Sequence, residues 1–66
     1  MIRIDMSGPA GEGKTHLAEK ILTFVSGYRI PYTTKHFRVE LFDGIQPNEV
    51  VKPKARTNVI IVTRNY

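Results

Sequence analysis

The chain has 66 residues, enough for one small domain, and its net charge of +4 favours anionic partners such as nucleotides, nucleic acid or an acidic protein surface. It contains no cysteine, which excludes disulfides and thiolate metal sites, and no apolar run near the roughly 18 residues of a membrane span. The N-terminal segment includes Asp5 and lacks a long apolar stretch, so it does not form a signal peptide. We therefore expect a single domain over residues 1–66, without a membrane segment and with a cytoplasmic location.

The first half of the chain predicts a strand, a glycine-rich loop and a helix. Residues 2–6 alternate apolar and polar side chains, as a short strand does, and the glycines and proline of residues 7–13 then turn the chain. From Lys14 to Ser26 the apolar residues recur at three- and four-residue spacing, which predicts an amphipathic helix. Gly27 suits the left-handed position just past a helix end, and Pro31 excludes any continuation.

The second half predicts two further strands joined by a poorly patterned segment. Residues 28–35 are expected to form a loop or an irregular edge segment, and residues 36–42 a strand that Asp43 and Gly44 end. Pro47 could open a short helix through Val51 that Pro53 then stops. The β-branched run at residues 59–62 predicts a strand buried on both faces, as in a covered parallel sheet.

This order of elements predicts an α/β fold with a three-stranded, mostly parallel sheet and one main helix. A pair of parallel strands needs a crossover connection, and the predicted helix supplies one. The second connection, of about fifteen residues, would serve either as a short crossover or as a long hairpin loop. The uniformly apolar last strand favours the parallel arrangement.

Residues 8–15, here called the glycine loop, read GPAGEGKT and match the pattern G-x-x-x-x-G-K-[ST]. A loop of this kind can curl successive backbone N–H groups around a phosphate, at which the N-terminus of the following helix also points. Lys14 adds a full charge for the β- and γ-phosphates, and the Thr15 hydroxyl is suited to bind Mg²⁺. The simpler alternative is a glycine-rich turn before a helix, with no ligand. The residues predicted to contact the nucleotide are Gly8, Pro9, Ala10, Gly11, Glu12, Gly13, Lys14, Thr15 and His16.

With this motif in a strand–loop–helix setting, the chain resembles the P-loop NTPase superfamily, as a minimal or truncated member. The tripeptide at residues 9–11 is most similar to the ATP-hydrolysing and kinase branches, so ATP is favoured over GTP as the ligand, together with Mg²⁺. The resemblance implies an acid for Mg²⁺ at the end of an apolar strand, and Asp43 fits that place. The alternative is that Asp43 and Gly44 form a turn; Asp5 is a weaker candidate, because its strand points it away from the loop.

The chain departs from the family in two ways that bear on catalysis. Many ATPases carry a glutamate directly after this aspartate to polarise water, whereas Gly44 stands here, and Glu40 need not face the nucleotide. The chain also lacks room for the segments that usually enclose the phosphates. We therefore expect weak hydrolysis, or hydrolysis that depends on a protein partner or a second copy of the chain. The alternative is a regulatory module that has kept the loop and lost turnover.

Further candidates lie outside the loop. Thr63 or Asn65 could orient an attacking water and Arg64 could steady phosphate charge, although a polar tail leaving a strand is the preferred interpretation. Nucleic acid is a further candidate partner, through scattered aromatic and basic side chains. These are Tyr28, Tyr32, Phe37, Tyr66, Lys35, His36, Arg38, Lys52, Lys54 and Arg56.

Overall fold

The computed structural model describes residues 1–65 and contains three strands and one helix. In chain order they are β1 (Ile2–Gly8), α1 (Lys14–Ser26), β2 (Val39–Ile45) and β3 (Val59–Asn65). The strands form one parallel sheet in the order β1-β3-β2, so the expected α/β fold with a parallel sheet and one helix is confirmed. No helix within residues 1–65 is long and apolar enough to cross a membrane.

The core is centred on β3, the middle strand of the sheet. Residues 59–63 are all buried in succession, and Ile61 and Val62 have no exposed surface. Because successive side chains of a strand point to opposite faces, such burial requires cover on both sides of the sheet. The β-branched run thus behaves as the sequence predicted.

Two different elements lie on the two faces of the sheet. Helix α1 packs over β2 and β3 on one face. On the other face, Glu40 accepts hydrogen bonds from the backbone N–H of Lys54 (2.6 Å) and from the Thr57 hydroxyl. These bonds hold residues 46–58, here called the covering segment, against the face that also carries Ile60. A long parallel connection without a helix is therefore held at its later part by the half-buried Glu40 carboxylate.

Each strand differs in its limits from the sequence expectation. β1 continues to Gly8 and β3 to Asn65, because the two strands stay paired through polar positions that carry no hydrophobic signal. β2 begins at residue 39 rather than 36. The predicted stop at Asp43 and Gly44 is wrong: the strand passes through a bulge there and continues to Ile45, which pairs with Arg64.

Two local predictions at element ends are also wrong. Gly27 has a φ of −89° and lies in the right-handed region, and the end of α1 is closed by the Tyr28 N–H, which donates to the Val25 carbonyl at 3.0 Å. The short helix expected from Pro47 is a turn instead. The Gln46 carbonyl accepts the Glu49 N–H at 3.1 Å, which closes the turn, and Arg64 Nη1 donates to the backbone oxygens of Gln46 (2.6 Å) and Glu49 (2.8 Å). The limits of α1 are as predicted.

Replacing Ile61 by alanine is expected to lower the free energy of unfolding by about 2–5 kcal/mol, since it removes a fully buried side chain from the central strand. Val50 is 79% exposed, so Val50→Ala is a matched control that should change stability by less than about 0.5 kcal/mol. Urea unfolding followed by circular dichroism measures both. Equal losses in the two variants would contradict the placement of the core on β3.

Candidate functional site

The glycine loop runs from the end of β1 to the start of α1. Gly11 and Gly13 have φ values of 88° and 85°, in the left-handed region that residues with a side chain rarely adopt. Gly13 immediately precedes the helix, and its carbonyl accepts the N–H of Leu17 at 3.0 Å. The spacing of glycines seen in the sequence therefore corresponds to backbone torsions that glycine accommodates without strain.

The Lys14 amine lies across the beginning of this loop. Its Nζ donates to the backbone oxygens of Gly8 (3.0 Å) and Pro9 (2.6 Å). Gly8 is buried at the end of β1, so these bonds fix the amine where the strand becomes the loop. The Lys14 charge and the N-terminus of α1 therefore lie beside the same loop, and both favour an anion.

Asp43 is hydrogen bonded to two threonines from different elements. Its Oδ1 accepts from Thr15 Oγ1 on α1 at 2.8 Å and from Thr63 Oγ1 on β3 at 2.6 Å. Thr63 Oγ1 in turn accepts the N–H of Gly44 at 2.8 Å. The bulge at Gly44, whose φ is 69°, thus connects β2 to the central strand through one hydroxyl. The structure brings Thr15 and Asp43 together although 28 positions separate them.

These contacts lower the pKa of Asp43 below its ordinary value. The hydrogen bond from Thr63 has the largest effect, followed by that from Thr15, while partial desolvation opposes them. Lys14 contributes a smaller favourable charge. The carboxylate is therefore ionised at neutral pH, as a cation ligand must be.

A cleft of about 510 Å³ opens beside the loop, within the size range of small-ligand sites. We call it the loop cleft; its lining residues are Ala10, Gly11, Gly13, Lys14, Thr15, His16, Glu19 and Asn65. Of the predicted contacts, Gly8, Pro9 and Glu12 do not line it. The Glu12 carboxylate folds back over Gly8, where a Cβ would lie 2.5 Å from its Oε1. Asn65 enters the cleft because it pairs with Gly8 at the ends of their strands.

Three acidic or basic candidates lie away from the loop. Asp5 pairs with Arg3 on the exposed surface, with Nε and Oδ2 2.7 Å apart, as its strand alternation indicated. Glu40 holds the covering segment, and the Thr57 hydroxyl is the main cause of its lowered pKa. Arg64 is bonded to carbonyls of the same segment rather than turned to the loop.

The role of Thr63 was not recognised from the sequence. The sequence offers its hydroxyl as a candidate for orienting water, whereas in the structure Thr63 is buried and its hydroxyl donates to the Asp43 carboxylate. A signal was present: Thr63 directly continues the β-branched run of residues 59–62, which places it on the buried strand rather than in a tail. A threonine at the end of such a run brings a hydroxyl into the core, where it requires partners.

Two side-chain oxygen atoms at the start of α1 and the end of β2 are of the kind that Mg²⁺ binds. The Thr15 hydroxyl and the Asp43 carboxylate provide hard oxygen atoms, the kind of ligand that Mg²⁺ prefers. These atoms lie 2.8 Å apart, and both residues are exposed. No group of three or more His, Asp and Glu side chains converges within residues 1–65. The two oxygens therefore fit an ion that takes its other ligands from phosphate and water, and do not form a complete protein cage.

A second cleft, of about 680 Å³, lies at the opposite end of the strands, where β2 and β3 begin. We call it the basic cleft; it is lined by Ile30, Lys35, His36, Phe37, Arg38, Arg56 and Asn58. Arg38 is fixed at the backbone, since its N–H donates to Asn58 Oδ1 at 3.0 Å and its carbonyl accepts the Asn58 N–H at 2.8 Å. Of the other candidates for nucleic acid, Tyr28, Tyr32, Lys52 and Lys54 do not line this cleft, and Tyr66 lies outside the described residues.

Comparisons with protein-family models, with curated proteins and with solved structures find no match to this chain. Its function therefore rests on the chemistry of its own residues. Most of the residues that the sequence singled out for phosphate and Mg²⁺ lie at the carboxyl end of the sheet, and four of the basic candidates, Lys35, His36, Arg38 and Arg56, line the cleft at the other end.

Replacing Thr63 by valine is expected to raise the pKa of Asp43 and to destabilise the fold by about 1–3 kcal/mol, because the Gly44 N–H and the carboxylate both lose a buried partner. Since the folded-state pKa is lowered, Asp43 stabilises the wild type above its unfolded pKa, and this contribution is lost as pH falls through the folded pKa. The variant should therefore lose less stability on acidification. Carboxyl ¹³C titration and urea unfolding at several pH values measure both effects. Thr34→Val, at an exposed position, is the control, and an unmoved Asp43 pKa in Thr63→Val would contradict the assignment.

Proposed function

We propose that this protein binds the polyphosphate of a nucleoside triphosphate, with ATP favoured over GTP, together with Mg²⁺. The observation that carries the proposal is the 2.8 Å contact between Thr15 and Asp43 at the foot of the glycine loop. A turn without a ligand would need no hydroxyl and carboxylate from different elements at this position. Such a pair suits Mg²⁺ between a helix N-terminus and a strand end.

The rest of the loop supports a phosphate at the same place. The left-handed torsions of Gly11 and Gly13 allow successive N–H groups to face one point, and α1 adds the positive end of its dipole. Lys14 changes partners in this scheme, leaving the carbonyls of Gly8 and Pro9 for phosphate oxygens. A nucleotide-dependent function agrees with a cytoplasmic location, where nucleoside triphosphates and Mg²⁺ are abundant.

Hydrolysis in this proposal is weak or depends on a partner. Gly44 follows Asp43, and Glu40 is occupied by the covering segment, so neither position offers a base to a water at the loop. A protein partner or a second copy could supply an arginine or a base. If the isolated chain releases phosphate steadily and Lys14→Ala abolishes that release, the alternative of a non-hydrolysing module is excluded.

Lys14→Ala is expected to weaken ATP binding about tenfold to a hundredfold, because it removes a charge-assisted bond to phosphate. Asp43→Asn should leave binding without Mg²⁺ nearly unchanged and reduce the gain that Mg²⁺ brings. An amide-shift titration with ATP, GTP, ADP and inorganic phosphate, with and without Mg²⁺, measures both effects. Lys20→Ala, an exposed substitution on α1, is the matched control. Equal affinity of the Lys14→Ala variant and the wild type for both triphosphates would refute the proposal.

The basic cleft favours a second candidate function, the binding of nucleic acid. Lys35, His36, Arg38 and Arg56 line it with no acidic residue among the lining positions, and within residues 1–65 none of their side chains forms an ion pair. Phe37 adds an aromatic surface at the same place. Cations beside an aromatic ring suit the phosphates and bases of a single strand.

The double variant Arg38→Glu, Arg56→Glu is expected to weaken binding of single-stranded RNA or DNA and to flatten its dependence on salt, since two phosphate contacts are removed. Gel shifts over a series of salt concentrations measure the slope. Lys14→Ala, at the other end of the sheet, is the control and should bind nucleic acid like the wild type. No retardation of the wild type at low salt would dispose of this candidate.

A further inference from the structure

Strand β1 is an edge of the sheet within the described residues, since it pairs with β3 alone. The N–H of Ile2 donates to the carbonyl of Asn58, the residue just before β3, at 2.9 Å. Because the backbone groups of a strand alternate in direction, those of residues 2, 4 and 6 point toward β3. The backbone N–H and C=O groups of Arg3, Asp5 and Ser7 therefore point outward from the edge. A row of such groups is a template for pairing with another strand.

An apolar groove accompanies this edge on the helix side. It measures about 190 Å³ and is lined by Ile2, Ile4, Phe24, Val25, Tyr28, Phe37 and Val59. Phe24 is 68% exposed and Ile2 53%, because α1 packs over β2 and β3 and leaves β1 largely uncovered. In a chain with so small a core, apolar surface beside an open edge favours association.

We propose that β1 pairs antiparallel with β1 of a second copy of this chain, with Ile4 opposite Ile4 on the twofold axis. In this register Arg3 of each copy lies opposite Asp5 of the other. Both residues present their backbone groups outward, so each such pair exchanges two N–H···O=C bonds. The strand sequence IRIDM is thus complementary to itself in charge.

The charges on the edge select this register over its neighbours. Residues whose backbone groups point outward must lie opposite one another, so the alternative registers differ from this one by two residues. The two neighbouring registers place either Arg3 opposite Arg3 or Asp5 opposite Asp5 on the twofold axis. Like charges directly opposite one another in a sheet are destabilising, whereas opposite charges stabilise it. Within one copy, Arg3 Nε and Asp5 Oδ2 already lie 2.7 Å apart on the face of the sheet away from α1. The dimer therefore forms an alternating quartet of charges there.

The pairing gives a continuous six-stranded sheet and a self-complementary interface, as twofold symmetry requires. The apolar grooves of the two copies come side by side, because Ile2 and Ile4 lie on the helix face in both. The antiparallel arrangement directs the two glycine loops toward opposite ends of the joined sheet. Association by this edge is therefore independent of the proposed nucleotide binding.

Charge reversal tests the register directly. Arg3→Asp places Asp opposite Asp across the axis, and Asp5→Arg places Arg opposite Arg, so each variant alone should dimerise about tenfold or more weakly than the wild type. An equimolar mixture of the two variants regains opposite charges at every pair and should form a heterodimer. Sedimentation equilibrium measures the first effect and native mass spectrometry the second. Lys52→Asp, an exposed reversal on the covering segment, is the control and should dimerise like the wild type.

The outcomes are separable from those of the nucleotide experiments and from misfolding. Circular dichroism should show both single variants folded, because an exposed ion pair contributes little to stability. A wild type that stays monomeric at all attainable concentrations overturns the proposal. So does a dimer that both single variants retain, or a mixture that fails to restore association. Loss of ATP binding in Lys14→Ala with the dimer intact would support the two inferences separately.

Discussion

The central position of β3 is the constraint on which the rest of the structure depends. Since β1 and β2 pair with opposite sides of β3 and run in the same direction, their carboxyl ends meet at one edge of the sheet. The glycine loop leaves β1 there, and Asp43 lies in the last part of β2. Thr63 at the end of the buried run marks the register, because a slip of one residue would turn its hydroxyl to the opposite face, away from Asp43 and Gly44. The site is therefore assembled by the same burial that folds the chain.

Thr63 joins this core to the chemistry of the site. It is the last buried residue of β3, and its hydroxyl donates to Asp43 while accepting the N–H of Gly44. A carboxylate at the exposed end of β2 is in this way held by a group that cannot move without disturbing the core. Thr15 supplies the second bond from α1, so the carboxylate connects the helix to two strands. Preorganisation of this kind would lower the cost of ordering the proposed Mg²⁺ site when a ligand arrives.

Much of the fold could be predicted from periodicity, and the remainder depended on partners distant in sequence. The helix Lys14–Ser26 carries its limits in its own pattern and in the glycines that flank it. The carboxyl ends of β1 and β3 cannot be located from the local pattern, since Gly8 and Asn65 belong to strands only because they pair with each other. The turn at Pro47 is held by Arg64, a residue distant in sequence that donates to the carbonyls of Gln46 and Pro47. The glycine loop and Asp43 were visible in the sequence as candidates, whereas the support from Thr63 depends on the register of two strands.

The bulge at Gly44 links the proposed grip on phosphate to the expected weakness of turnover. Its φ of 69° would strain a residue with a side chain by about 1–2 kcal/mol, and the bulge turns the Gly44 N–H to Thr63 while Asp43 reaches Thr15. A glutamate at this position, where many P-loop ATPases carry their base, would disturb the geometry that aims the aspartate. The bulge that holds Asp43 against Thr15 requires a glycine at the next position, and a glycine cannot supply a base. Under the proposed function, a chain that keeps the glycine at this position therefore favours binding of the nucleotide over its hydrolysis.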